Sequence, residues 1–245
     1  MAGNAVAPPL LQMHDMGFRW PGAARDTLAV DHLAIHPGET VFLRGASGCG
    51  KSTLLSLAAG VLTATSGDVA LMGRSWLAMP AAQRDRLRGD HIGYIFQQFN
   101  LLPYLSALDN VLLTCRLSKL RAARSGGALQ ARAPAEALLR RMGLTEAEWH
   151  RRAADLSVGQ QQRVAAARAL SGKPDLVIAD EPTSALDETL RDTFMALLTQ
   201  SCREVGSALL FVSHDGRLAH GFDRVVDLAQ LNRVPPNHLA PEATA

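Results

Sequence analysis

The stretch Gly45-Ala46-Ser47-Gly48-Cys49-Gly50-Lys51-Ser52 constrains this chain more than any other. It fills every fixed position of the pattern G-x-x-x-x-G-K-[ST], a loop that cradles phosphates. The flanks agree with that reading. Thr40-Val41-Phe42-Leu43-Arg44 is short, apolar and β-prone, and Thr53-Leu54-Leu55-Ser56-Leu57-Ala58-Ala59 is a good helix former. Strand, glycine-rich turn and helix is the context in which such a loop works. Gly45, Gly48 and Gly50 reach backbone angles that a side chain forbids. They let successive N–H groups close around phosphate oxygens at a helix N-terminus. Lys51 brings a point charge to the β- and γ-phosphates, and the Ser52 hydroxyl suits Mg²⁺.

The rest of the chain is read against that loop. At 245 residues it holds one large α/β domain or two small ones. With 47% hydrophobic and 20% charged residues it has the composition of an ordinary globular protein. A net charge of +2 gives no case for nucleic acid. Cys49, Cys115 and Cys202 show neither metal-ligand spacing nor a disulfide framework, so a reducing cytosol is expected. No signal peptide and no bilayer-spanning apolar run are read. Work at a membrane then requires another chain to supply the spanning helices.

Strands are expected over Leu10–Trp20, Leu28–Ile35 and Asp68–Gly73, some of them antiparallel, with a polar helix over Ala81–Arg88 and a strand over Ile92–Phe96. From about Asn100 to Leu156 the composition turns to Leu, Ala and Arg. Ala107–Leu113 and Ala133–Met142 have helical spacing, broken between them by Ser125-Gly126-Gly127. This predicts a helical insertion whose arginines form a solvated face. A βα rhythm follows: helix from about Gln160 to Leu170, strand Leu176–Ala179, helix Glu188–Glu204, strand Ala208–Val212 and strand Arg224–Leu228. Continuous apolar strands alternating with helices predict a parallel sheet covered on both faces.

Asp180-Glu181 directly follows the apolar strand Leu176–Ala179. Carboxylates at the carboxyl end of a parallel strand suit phosphoryl transfer: Asp180 to hold Mg²⁺ and Glu181 to polarise the attacking water as general base. The run then continues Glu181-Pro182-Thr183-Ser184-Ala185-Leu186-Asp187. Upstream of the strand lies Leu156-Ser157-Val158-Gly159-Gln160-Gln161-Gln162-Arg163, which resembles the signature motif of ABC transporter ATPases. Gln97 matches that family's Q-loop, Ser184 to Asp187 its D-loop, and His214 its switch histidine. Trp20 sits where the family places an adenine-stacking aromatic. The resemblance covers about Leu10 to Leu228.

The family implies an α/β fold: a P-loop NTPase of ABC type, with a mainly parallel sheet core, an N-terminal antiparallel β subdomain and an inserted α-helical subdomain. It implies one cassette over residues 10–228, the helical subdomain over about 98–165, and a flexible tail over 229–245. The substrate is ATP with Mg²⁺. Nucleotide contacts fall on Trp20, Gly45, Ala46, Ser47, Gly48, Cys49, Gly50, Lys51, Ser52, Thr53, Gln97 and Asp187. Ser157, Gly159 and Gln160 come from the opposite subunit of a head-to-tail homodimer that sandwiches two ATP; the signature helix is expected to begin at about Gln160 and to favour anions. Ser52, Gln97 and Asp180 serve the metal, and Glu181, His214 and Lys51 are catalytic.

Three positions depart from the family pattern: Val158 stands where glycine is usual, Trp20 where tyrosine is commoner, and Cys49 lies inside the loop, where alkylation is expected to block ATP. The segment Phe96-Gln97-Gln98-Phe99-Asn100-Leu101-Leu102-Pro103 is similar to that of lipoprotein-releasing and macrolide-exporter-type ATPases. In the family it lines a groove for a permease's coupling helix, here near Gln97, Phe99, Leu101 and Tyr104. The implied protein is the ATP-hydrolysing subunit of an ABC transporter, cytoplasmic and peripheral on the inner face of the cell membrane through its permease. A soluble ABC ATPase of DNA repair or translation is the alternative, and a nucleotide-sensing cassette without turnover is opposed by the presence of Lys51, Glu181 and His214.

Overall fold

The structure, a computed structural model, describes residues 8–184 and 187–234. Strands β1 (Leu11–Phe18) and β2 (Leu28–Ile35) pair antiparallel. Next come β3 (Thr40–Arg44), α1 (Lys51–Ala58), β4 (Ser66–Leu71), β5 (Arg74–Ser75), α2 (Ala81–His91) and β6 (Ile92–Ile95). The helical region holds α3 (Ala107–Leu117), α4 (Lys119–Arg124), α5 (Arg132–Arg141) and α6 (Glu146–Trp149). Then α7 (Val158–Leu170), β7 (Leu176–Asp180), α8 (Glu188–Val205), β8 (Ala208–Ser213), β9 (Arg224–Asp227) and α9 (Leu228–Leu231) complete the order.

Two sheets result: an antiparallel one in the order β2-β1-β4-β5 and an all-parallel one in the order β6-β7-β8-β3-β9. The parallel strands alternate strictly between two cores. Val41, Leu43, Leu176, Ile178, Ala208, Leu210 and Val212 face the antiparallel sheet and α1. Phe42, Val177, Ala179, Leu209 and Phe211 face the core built from the inserted helices, α7 and α8. A strand with both faces buried needs no polar side, which is why its sequence reads as an unbroken apolar run. Gly93 on β6 lets α7 approach: a Cβ there would lie 2.2 Å from the Ala169 carbonyl oxygen.

Several boundaries move from the sequence reading. Strand β1 stops at Phe18, leaving Trp20 outside it, and α1 starts at Lys51. Helix α3 runs on to Leu117, and α4 was not foreseen. The signature helix begins at Val158, two residues before Gln160, because Ser157 and Gln160 close a reciprocal capping box. Residues 229–234 are tied down: Asn232 Oδ1 accepts from the Ala29 N–H at 2.8 Å, and the Arg233 N–H donates to the Ala29 carbonyl at 2.9 Å. The remainder of the expected tail, 235–245, lies outside the described residues, as do Ala185 and Leu186 of the D-loop.

The arginines of the helical region behave as a solvated face. Arg116 pairs with Asp109, Arg132 with Glu136, Arg140 with Glu146 and Arg152 with Asp155. Arg121 is the exception. It is fully buried and donates to the carbonyls of Ala169, Ser171 and Ile92, bracing α4 against the core. Among the described residues no helix is long and apolar enough to cross a membrane.

Candidate nucleotide-binding and hydrolysis site

The phosphate loop joins the carboxyl end of β3 to α1. Gly48 has φ +76° and Gly50 φ +99°, both left-handed. At Gly50 a Cβ would also lie 2.9 Å from Leu28 Cδ2, so turn and packing both demand glycine. Gly50 is the N-cap of α1, and neither a side-chain cap nor an acidic residue occupies the first turn. The end of the helix macrodipole is thus left for an anion. The Cys49 sulfur folds back over Gly45, where a Cβ would come within 2.6 Å of it, so Cys49 acts as a small filler in the loop.

Lys51 is buried, and its Nζ donates to the carbonyls of Gly45 at 3.0 Å and Ala46 at 2.9 Å. It also meets Glu181 Oε1 at 3.0 Å. The other Glu181 oxygen, Oε2, lies 3.0 Å from His214 Nδ1. Lysine, carboxylate and imidazole therefore form one chain, with the buried ammonium neutralised from within the protein. Glu181 reaches this place by leaving β7 in a left-handed conformation, φ +43°, with its N–H on the Val212 carbonyl at 3.0 Å. Strain at a non-glycine residue that points a carboxylate into a cleft is characteristic of working sites.

Asp180 is the last residue of β7 and accepts a hydrogen bond from the Ser52 side chain. Burial pushes its carboxyl above the ordinary aspartate range despite that bond, and the Glu181 charge adds to the push. A carboxylate held this way gains from a nearby cation. Burial, and secondarily the Asp180 charge, also pushes the Tyr94 hydroxyl well above its ordinary value. Among the described residues no three His, Cys, Asp or Glu side chains converge on a point where a metal ion could sit. The pair Ser52 and Asp180 is thus a half-set of hard oxygen ligands, suited to Mg²⁺ that brings phosphate oxygens with it.

A cleft of about 350 Å³ opens beside Glu181 and His214. Thr183, Ser184, Ser213, Arg191, Asp215 and Arg217 complete its lining. The last four were missed in the sequence; the signal available was only that Ser213 and Asp215 flank His214. Trp20, 44% exposed, stands edge-on to buried Phe18 with ring centroids 5.0 Å apart, a free aromatic face on a rigid base. Gln97 is exposed in the turn after β6. Asp187 caps α8, accepting from the Leu190 N–H at 2.9 Å.

The expected groove is corrected at one residue. Phe99 is 7% exposed and belongs to the helical core, whereas Tyr104 is 68% exposed. Phe99 turns inward because its backbone is left-handed, φ +60°, and Arg168 holds the carbonyls of Phe99 and Asn100 at 2.7 and 2.6 Å. Leu101 is partly buried against the same core.

The signature residues are not drawn into the cleft. Ser157 Oγ accepts from the Gln160 N–H at 3.3 Å, and Gln160 Oε1 accepts from the Ser157 N–H at 2.8 Å. Gln160 Nε2 donates to Glu148 Oε1 at 2.5 Å. Gln160 is thus occupied in holding the helix end. Val158 and Gly159 take the first two helical positions, whose N–H groups have no acceptor inside a helix. A Cβ on Gly159 would meet nothing within 4 Å, so the space before it is open.

Comparison with known proteins agrees with this geometry. The family model described as "ABC transporter" matches residues 28–184. The chain is 45% identical over 196 residues to the lipoprotein-releasing system ATP-binding protein LolD of Anaeromyxobacter dehalogenans (strain 2CP-C), covering 80% of each chain. It is 37% identical over 245 residues to the macrolide export ATP-binding/permease protein MacB of Rhodopseudomonas palustris (strain HaA2), spanning 99% of this chain and 36% of that longer protein. The solved dimeric post-hydrolysis state of the ATP-binding cassette MJ0796, bound to ADP and Pi, superposes with a TM-score of 0.78 at 34% identity. That match covers 89% of this chain and 93% of the other. A phosphate loop, a signature helix and a strand-end acid pair in this order and this fold identify the chain as an ATP-hydrolysing member of the ABC transporter family, of the lipoprotein-releasing and macrolide-exporter type.

Proposed function

We propose that this chain is the motor subunit of a transporter, closing on ATP as a head-to-tail homodimer and driving an integral membrane permease. The observation that carries the reading is the Lys51–Glu181–His214 chain, set at the open end of the phosphate loop. Triphosphate entering the loop competes for Lys51 and releases Glu181 to a water. Glu181 then takes a proton from that water as general base, while His214 orients it toward the γ-phosphate. Ser52, Asp180 and Gln97 would hold Mg²⁺, which would supply positive charge to neutralise the phosphates.

Trp20 stacks on the adenine. Gly45, Ala46, Ser47, Gly48, Cys49, Gly50 and Thr53 supply the phosphate cradle, and Asp187 lines the subunit boundary. Ser157 and the N–H groups of Val158 and Gly159 close the site from a second copy; Gln160 supports them as the capping partner. Residues 10–228 form one cassette with the helices of about 98–165 inserted. Gln97, Leu101 and Tyr104 remain as the surface for a permease helix, and Phe99 leaves that set. The protein then sits on the inner face of the cell membrane through its permease. The names of its relatives favour the permease of a lipoprotein-releasing or macrolide-export system, and nothing in the site favours a soluble role in DNA repair or translation.

The test is affinity purification of Glu181→Gln protein from native membranes with ATP present, followed by mass spectrometry. Recovery of a permease with few spanning helices and a large outer domain is expected. A permease with many spanning helices would overturn the subtype. Ribosomes or repair proteins without any membrane protein would overturn the transporter role.

A further inference from the structure

Two carboxylates and two guanidinium groups tie the start of α8 to the loop that carries His214. Asp215 follows His214 directly. Its Oδ2 accepts from Arg191 Nη1 at 2.6 Å and from Arg217 Nη2 at 2.9 Å, and its Oδ1 accepts from Arg217 Nε at 3.0 Å. Arg217 also donates through Nη1 to Glu188 Oε1 at 3.1 Å. Glu188 and Arg191 lie at the start of α8, while Asp215 and Arg217 belong to the turn after β8. On the other side of His214, Ser213 Oγ accepts from the Asp215 N–H at 3.1 Å.

Exposure separates anchor from load. The Arg191 and Asp215 side chains are only 19% and 18% exposed, while the His214 side chain is 62% exposed. The imidazole pairs with Glu181. A ring so little enclosed is oriented by its backbone, and that backbone is held by the residue beside it. The hydrogen bond from the Arg217 side chain, ahead of all other causes, holds the Asp215 carboxyl down to about 2, so the anchor stays charged at any working pH.

We infer that Arg191, acting through Asp215, is a positioning residue for hydrolysis: it fixes the His214 loop to α8 and so sets the approach of the imidazole to Glu181. The inference rests on the catalytic reading of Glu181 and His214. Arg191 bonds to Asp215, and its effect on the pair runs through the loop. Misplacing a reacting group by about 1 Å costs on the order of a hundredfold in rate.

The experiment measures steady-state ATP hydrolysis and equilibrium binding of ATP for Arg191→Met, Arg191→Lys, Asp215→Asn and His214→Ala, each checked for an unchanged melting profile. The expected result is a kcat for Arg191→Met lower by roughly ten- to a hundredfold, with KM and ATP affinity within about twofold, and substantial recovery in Arg191→Lys. Asp215→Asn should copy Arg191→Met, and it carries the test alone if the arginine variant fails to fold. An unchanged kcat in Arg191→Met, or in Asp215→Asn where the arginine variant does not fold, overturns the inference when His214→Ala is inactive. Equal loss in the Met and Lys variants, or a loss confined to KM, also overturns it. If His214→Ala keeps full turnover, it is the catalytic reading that fails, and the positioning role falls with it.

Discussion

The phosphate loop and the signature segment are both helix N-termini, and they are finished in opposite ways. At α1 the N-cap is a glycine, no side chain caps the helix, and the nearby charges are paired inward through Lys51 and Glu181. At α7 the N-cap is Ser157, closed by Gln160 and backed by Glu148. One end leaves its first N–H groups without a side-chain cap. The other is a self-supporting surface that projects its first N–H groups outward. On the proposed reading, the chain builds a concave half-site and a convex half-site and satisfies each separately. A ligand needing both would then recruit a second copy, through a symmetric pairing of one chain with itself.

The largest effect expected from this arrangement is at Glu181. Glu181→Gln keeps the size of the side chain but removes the base and the charge that neutralises Lys51. Turnover should fall by roughly 10²–10⁴-fold, while ATP-dependent dimers persist on gel filtration. An unchanged steady-state rate would show that the base lies elsewhere.

The pairing itself is broken or sharpened by mixing two dead proteins. Lys51→Ala spoils only the concave half and Ser157→Arg only the convex half. Each should be inactive alone, and an equal mixture should recover about a quarter of wild-type activity, since half the dimers hold one intact composite site. Absence of any recovery would place both halves in one chain.

Core and surface are separated next by Phe99 and Tyr104, five residues apart in the segment expected to receive a permease helix. Phe99→Ala should destabilise the protein by about 3–5 kcal/mol in chemical denaturation. Tyr104→Ala should leave stability within about 0.5 kcal/mol. Equal effects would erase the distinction drawn between the two.

The smallest effect concerns how the concave half is pinned from below. Asp223 accepts from both the N–H and the hydroxyl of Thr40 at the foot of β3, each at 2.8 Å. The backbone N–H of Thr40, then its hydroxyl, hold the Asp223 carboxyl below its ordinary value of 3.8. A depressed acid contributes stability that is present above the ordinary carboxylate range and lost as pH falls through the depressed one. The difference in melting temperature between wild type and Asp223→Asn should therefore be constant near neutral pH and close below about pH 3.8. A difference that grows on acidification would reverse the sign.

Much of this was legible in the chain. The glycine spacing of residues 45–50 admits few backbones, and the apolar runs of β3, β7 and β8 admit few environments. Asp180 and Glu181 were readable because they end such a run. The left-handed turn at Phe99 was not legible, because nothing local makes a phenylalanine adopt positive φ; Arg168, from a distant helix, holds it there. The role of Arg121 was equally hidden. In sequence it is one arginine among many, and only the packing of α4 on α7 and β6 turns it into a buried brace.

By itself, then, the sequence determined the phosphate loop, the acid pair, the two-faced parallel sheet and the order of the motifs, because those depend on local backbone freedom and on the periodicity of burial. Only the tertiary structure decided that Lys51, Glu181 and His214 form one chain, that Arg191 from α8 grips the residue beside His214, and that the signature helix faces away with its cap complete. Each of those is a meeting of side chains from separate strands and helices, and the distance between them is set by the packing of whole elements, which local pattern does not encode.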